Sequence, residues 1–486
     1  MKTFRFLSLL LLVLVSTQIS FATEPEALAR KAVSGDTAAI EELRALGPEG
    51  LQALRAQYAN EINAHIANPT AARDEQWQRI TAALDAVAQQ KNSYVAGLYW
   101  YTDLDAAKKA SKALGKPILS LRLLGKLTDE FSCANSRFFR TVLYPNDEVS
   151  AVLRDRFVLH WRSVRPVPTV TIDFGDGRKL ERTLTGNSIH YILDSEARPL
   201  DALPGLYGPR AFLRGLSNAE KLFQSLAGKN EQERAWALRS YYEERHNKIA
   251  AAWTIDTQKI GGKVPAGFKI VPGQNGTEAL VISPLAVTKM VTEASILRAM
   301  NLMADELGKV TDEAAWKKIA ELHTDDALLD SRAITLIKYQ NSSISEDDFK
   351  RLASRFQGLV ALDTVRNEYL MHTKLYTWLM NDPARDDVEK LNKKVYDSLF
   401  LTPGSDPWLG LFSNDLYTAL DNGGVVQPGT QIDADKKTDS GQGVQVRVLS
   451  VPLSGYNPRH VAKPASPSPS SSVFFVFGPD NTRKDP

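Results

Sequence analysis

With 486 residues the chain has room for about three domains of ~150 residues, and 43% hydrophobic against 24% charged residues is enough to bury a sizeable core. Its 59 lysines and arginines nearly cancel 57 acids, leaving a formal charge of +2, part of which is Lys2 and Arg5 at the extreme N-terminus. A balance so close to zero gives no electrostatic reason to expect nucleic acid or an anionic membrane as partner.

Residues 1–22 read as a secretory signal peptide: Lys2 and Arg5 supply the positive start, Phe6 to Val15 the apolar run, and Ser20-Phe21-Ala22 the small residues of a cleavage site. The mature chain is expected to begin at Thr23, to be periplasmic or secreted, and to have no membrane span after cleavage, since no later run reaches the ~18 apolar residues required. Export to an oxidising compartment makes the single cysteine, Cys133, informative. It can form no internal disulfide, so it is either packed and inert or kept for chemistry or intermolecular pairing.

Residues 23–96 are expected to form a small helical module. Leu51, Leu54, Tyr58, Ile62 and Ile66 recur at three and four spacing, as do Trp77, Ile80, Leu84 and Val87, while Gly35-Asp36 and Gly47-Pro48 punctuate the run.

The next stretch changes character. After Trp100, the stripe Leu104, Ala107, Ala110, Leu114 predicts a helix closed by Gly115-Lys116-Pro117, and Ile118 to Leu124 predicts a buried strand. The run Phe131-Ser132-Cys133-Ala134-Asn135-Ser136-Arg137 then opens an apolar-periodic segment through Phe138, Phe139, Val142 and Leu143. A helix starting at Asp147 and Glu148 and a strand at Phe157-Val158-Leu159 follow. Thr169 to Phe174 and Lys179 to Leu184 around Gly175-Asp176-Gly177 predict a hairpin, Ile189 to Pro199 a second, and Gly205, Phe212, Leu213 and Leu216 a closing helix.

Helix, strand, cysteine loop, helix, strand, with the cysteine at the strand-to-helix junction, resembles the thioredoxin fold. The match is to its secreted branch, in which a tryptophan, an amphipathic helix and Gly-Lys-Pro precede the first core strand, and in which an acidic turn carries a valine sixteen residues after the first cysteine, as Val149 follows Cys133. The resemblance covers 97–228. It implies that Cys133 is the nucleophile, that Ser136 replaces the resolving cysteine, and that Ser188, after Asn187, stands where the family has a cis-proline at its substrate groove; Pro168 is a rival for that position. The activity implied is that of a monothiol disulfide oxidoreductase or isomerase forming mixed disulfides, with protein thiols or disulfides, or an external small thiol, as partners and no cofactor. A thiolate there would be favoured by the helix N-terminus and by Arg137 and Arg140. The alternative is a non-catalytic thioredoxin-fold scaffold or binding protein working through its helical domains and tail.

Residues 229–424 are expected to be mainly helical, with a β-hairpin near 268–283 turning at Asn275-Gly276. Leu352, Phe356, Leu359 and Leu362 make one stripe, Leu375, Trp378 and Leu379 another. Glu243-Glu244-Arg245-His246 holds half of a di-iron pattern but lies in a charged tract and reads as a solvated face. Glu368 and His372, one turn apart beside Asp363, Arg366 and Asn367, read as a buried polar network or a pocket wall. His323 before Asp325 and Asp326 reads as a loop and helix cap. No zinc-hydrolase, phosphate-loop or serine-hydrolase motif is present, and no metal set is expected. In the tail, 425–486, Val444, Val446 and Val448 alternate as a strand would, Pro464 to Ser472 is low-complexity, and Val473 to Phe477 is expected to dock on a sheet edge or to bind a protein partner. The fold class expected is α+β multidomain: a thioredoxin-like α/β domain flanked by a small N-terminal helical module and a large, mainly helical C-terminal domain.

Overall fold

A computed structural model describes residues 25–183, 186–263, 311–402, 404, 405 and 419, and the backbone of 445–448. The expected signal peptide, the hairpin near 268–283, the Pro/Ser tract and the Val473 to Phe477 segment lie outside the described residues. The protein is of mixed helix and strand, with a small mixed sheet.

Five helices open the described residues: Pro25–Val33, Thr37–Ala45, Pro48–Gln57, Ala59–Ala67 and Glu75–Ala88. Polar caps and a proline set their boundaries. Asp36 accepts from the Ala38 and Ala39 N–H groups, Asp74 from that of Trp77, and Pro48 occupies the first turn of its helix, where a missing N–H costs nothing. Leu43, Leu54, Trp77, Ile80 and Leu84 form a core of their own.

The central sheet has the order β2-β1-β5-β6, built from β1 (Ile118–Leu124), β2 (Val158–Arg165), β5 (Ser188–Leu193) and β6 (Pro199–Pro204). β1 and β2 are parallel, with Ile118 opposite Val158, and are joined by a crossover carrying the helices Ala134–Phe138 and Asp147–Arg156. β5 runs antiparallel to β1, placing Ser188 opposite Leu123, and β6 antiparallel to β5. β1 is buried along its whole length, as a strand covered on both faces must be.

Several of the sheet's buried polar side chains find partners. Ser120 Oγ lies 2.8 Å from His160 Nδ1 on the neighbouring strand, and His190 Nε2 lies 2.7 Å from the Tyr144 hydroxyl. Arg122, 1% exposed, reaches Glu389 Oε1 at 2.8 Å on the distant helix Val388–Lys394, while its Nε and Nη1 have no acceptor among the described residues. The expected hairpin around Gly175-Asp176-Gly177 is formed by β3 (Thr169–Asp173) and β4 (Lys179–Thr183). A tail strand, β7 (Gln445–Val448), adds antiparallel to β3 with Val446 opposite Ile172.

Past the sheet come helices Pro209–Ser225 and Glu231–Lys259, the second opened by a reciprocal Asn230–Glu233 capping box. After the undescribed stretch come Glu313–Glu321, a 3-10 turn Thr324–Ala327 and Ser331–Gln340. The long helix Glu346–Arg366 passes through a π-helical turn, Asn367–His372, into Thr373–Asn381. These helices share one apolar core with the sheet, in which Trp253, Trp316, Leu375 and Leu391 join Ile189, Leu203 and Phe212.

One expected face is corrected. Of the expected stripe Phe356 and Leu362 pack against the core, but Leu352 and Leu359 are 43% and 42% exposed, and the buried side of Glu346–Arg366 carries Phe349, Val360, Ala361, Thr364 and Val365. Small Ala361 and Thr364 permit close approach to the sheet domain, and the Thr364 hydroxyl is satisfied by donating to Val360 O and accepting from Gly208 N–H. Side-chain size in the sequence pointed to the leucines; backbone proximity selected the smaller residues.

Candidate functional site

The cysteine centre comes first, because the sequence singles it out. Cys133 is the N-cap of the five-residue helix Ala134–Phe138, its Sγ 3.5 Å from the Ser136 N–H, and it is 0% exposed within the main core. Ser136 donates its hydroxyl to Cys133 O at 2.9 Å, so that side chain serves the turn backbone. Ser188 is brought to the cysteine loop: its Oγ accepts from Asn135 Nδ2 at 2.9 Å. Pro168 instead precedes β3 in the other sheet. Asn187 turns toward the C-terminal helices, donating to Thr402 Oγ1 at 3.0 Å and accepting at its carbonyl from the Tyr396 hydroxyl at 3.2 Å. Arg137 donates to Ser132 O and Thr183 Oγ1, and Arg140 to Glu130 O. Cys133, Ser136, Asn187 and Ser188 are therefore all buried.

A second site lies where the end of β6, the two helices after it and the π-helical turn converge around a cavity of about 240 Å³. Arg245, Lys248, Ile249 and Ala252 line it from one face of Glu231–Lys259, spaced three, four and seven apart as a helical face requires. Arg214 comes from Pro209–Ser225, and His323 and Asp326 from the 3-10 turn and the residue before it. Thr364, Glu368 and His372 come from the far wall, where the helix widens into its π turn, a distortion frequent at functional sites.

Two imidazoles are each held between two carboxylates. His372 Nδ1 is 2.9 Å from Glu368 Oε2, and its Nε2 is 3.3 Å from Asp201 Oδ1. Asp201 also accepts from the Tyr241 hydroxyl at 2.5 Å and the Tyr376 hydroxyl at 3.2 Å. His323 Nε2 is 2.6 Å from Asp256 Oδ2, which accepts from the Tyr369 hydroxyl at the same distance, and its Nδ1 is 3.7 Å from Asp326. Arg214 grips Asp326 with two parallel hydrogen bonds of 2.5 and 2.7 Å.

These contacts set the charges. Burial would neutralise His372, but Glu368 and the hydrogen bonds to Asp201 and Glu368 outweigh it and push its pKa up to about 9. His323 is raised to about 9, chiefly by its hydrogen bonds to Asp256 and Asp326. Burial opposes ionisation of Glu368, Asp256 and Asp326, yet all three are held below their ordinary values, Glu368 by His372 and Arg245, Asp256 by His323 and Tyr369, Asp326 by Arg214 and His323. At neutral pH both imidazoles are cations, and every ring nitrogen faces a carboxylate. Neither has a lone pair to serve as a general base.

Stability must then depend on pH in two directions. Raised pKa values on His323 and His372 contribute stability that is fully present below about 6.5 and is lost as pH rises through about 9. His160 and His190 are lowered to about 3, mainly by burial, so the unfolded chain takes up protons that the fold refuses and stability falls as pH drops from 6.5 toward 3. Urea midpoints across this range should peak near pH 6.5, and a midpoint that keeps rising to pH 9 would show that the two imidazoliums are not held as described.

Of the residues singled out by the sequence, Glu368 and His372 line the cavity. Arg366 turns away to pair with Glu313 at 2.6 Å, and Asp363 is not part of the lining. Arg245, read as part of a solvated charged run, points inward, and His323 does more than end a helix. Asp201 and Arg214 carried no local signal, and Asp326 stood out only as part of the cap beside His323. Among the described residues no cluster suits a metal ion, and no helix is long and apolar enough to cross a membrane. Comparison with known protein families, with curated proteins and with solved structures gave no match.

Proposed function

We propose that the chain is an exported thioredoxin-like scaffold that works as a small-molecule binding protein, through the cavity between its sheet domain and its C-terminal helices. Support for the thioredoxin-like reading comes from the sheet order β2-β1-β5-β6 with one parallel and two antiparallel pairings, a cysteine capping the helix that follows β1, and Ser188 facing that cysteine loop. Binding rather than thiol exchange is favoured by one observation above all: Cys133 is fully buried, and the Asn187-Ser188 segment that would form a substrate groove is tied to Tyr396 and Thr402. A cavity with apolar walls and a few convergent charged groups is the general form of a small-ligand site.

One observation favours the competing reading of a monothiol oxidoreductase or isomerase. Cys133 Sγ sits at the start of the helix that follows β1, against the Ser136 N–H, where the resemblance places a nucleophile. Alkylation of Cys133 in native and urea-unfolded protein separates the two. We expect modification of the native protein to proceed no faster than global unfolding. A native thiol that reacts as fast as the unfolded one would return Cys133 to the role of nucleophile.

A further inference from the structure

Resting on the reading of the cavity as the binding site, we propose that it takes a compact organic monoanion: a carboxylate on a small apolar body.

Donors and acceptors are unequally satisfied around it. Each carboxylate already has a hydrogen-bond donor and a cation beside it: Asp326 has Arg214, with His323 at 3.7 Å, Asp256 has His323 and Tyr369, Glu368 has His372, with the Arg245 guanidinium at 3.6 Å, and Asp201 has two tyrosines and His372. The donors are less well served. Arg245 lines the cavity beside the Tyr376 hydroxyl, and its nearest carboxylate oxygen, on Glu368, is beyond hydrogen-bond distance. A guanidinium with no carboxylate in hydrogen-bond contact is a donor that an entering carboxylate can match.

Charge gives the same sign. Arg214, Arg245, Lys248, Lys259, His323 and His372 face Asp201, Asp256, Asp326, Glu368 and Glu244, so the network carries one surplus positive charge even with the pairs at its rim included. Lys248 and Arg214, though paired with Glu244 and Asp326, keep about 60% of their side chains exposed, so their field reaches an anion approaching the cavity. A planar guanidinium suits a carboxylate in particular. The remaining lining, Leu203, Ala211, Ile249, Ala252 and Val365, matches a hydrocarbon body, and a volume of about 240 Å³ limits its size.

The test uses the full chain and three probes of similar size, benzoate, benzamide and benzylamine, titrated by calorimetry. Benzoate should bind at least about ten-fold more tightly than benzamide, the difference expected for a charge-assisted hydrogen bond, and benzylamine should not bind. Arg245→Gln should remove the preference for benzoate, with circular dichroism confirming that the variant is folded. The comparison among probes on the unmodified chain stands even if that variant misfolds. Benzamide or benzylamine binding as well as benzoate would overturn the anion inference while leaving the cavity as a binding site. No binding by any of the three at millimolar concentration would overturn both.

Discussion

Asp201→Ala is expected to cost about 3–5 kcal/mol of stability, the range for breaking a buried ion pair by removing one partner. The carboxylate is 2% exposed and accepts from Tyr241, Tyr376, His372 and the Ala202 N–H. Its loss leaves a buried imidazolium with one carboxylate in place of two, and two phenolic hydroxyls with no acceptor where no water replaces it. Denaturant titration at pH 6.5 measures the cost. Asp201→Asn, which keeps the shape and one acceptor oxygen, should cost less and should flatten the stability loss between pH 6.5 and 9, because His372 then loses part of what holds its proton. A cost below about 1 kcal/mol for the alanine variant would mean that the network is not assembled in solution.

Gly208→Ala should be nearly as damaging, about 3 kcal/mol, at the upper end of the overpacking range. A Cβ at 208 would stand 2.1 Å from Asp326 O, 2.7 Å from its carbonyl carbon and 3.0 Å from Ala327 Cα. Everything it meets is backbone, so no rotamer change can relieve it. The 3-10 turn would have to retreat, taking His323 and Asp326 off Asp256 and Arg214 and opening one wall of the cavity. Gly215→Ala is the control. Its Cβ meets only the Leu203 side chain, Cδ2 at 2.7 Å and Cδ1 at 3.1 Å, which can give where backbone cannot, and a loss of about 1 kcal/mol, the low end of overpacking, is expected. Thermal melts of the two variants side by side, with benzoate titration of each, decide the point: equal losses would show that the 208–326 contact is not a close backbone packing.

The alternation of helix and strand between residues 104 and 165 was legible because each element announces itself locally, by a glycine cap, an apolar run or a polar N-cap. The Gly175-Asp176-Gly177 hairpin was legible for the same reason. The cavity was not. Its parts come from elements far apart in the chain, with Asp201 and His372 separated by 171 positions and Arg214 and Asp326 by 112. Periodicity reports the apolar face of one element; it does not say which charged residue at the edge of that face turns inward. Arg245 among glutamates and lysines reads as solvated until β6 and the π turn are placed opposite it. Glu368 and His372 stood out because two ionisable groups one turn apart amid apolar neighbours already imply a shared partner.

The buried Arg122 has a further consequence, one of timing. Its carboxylate, Glu389, lies 267 residues downstream, and Arg122 occupies the interior strand on which β2 and β5 both pair. At the usual 5–20 residues per second, roughly 13–50 s of synthesis separate the two. Throughout that interval a guanidinium must either stay in water or be shut into the sheet without its counter-ion. The nascent chain therefore has reason to keep its central strands open until the helix that carries Glu389 has been made.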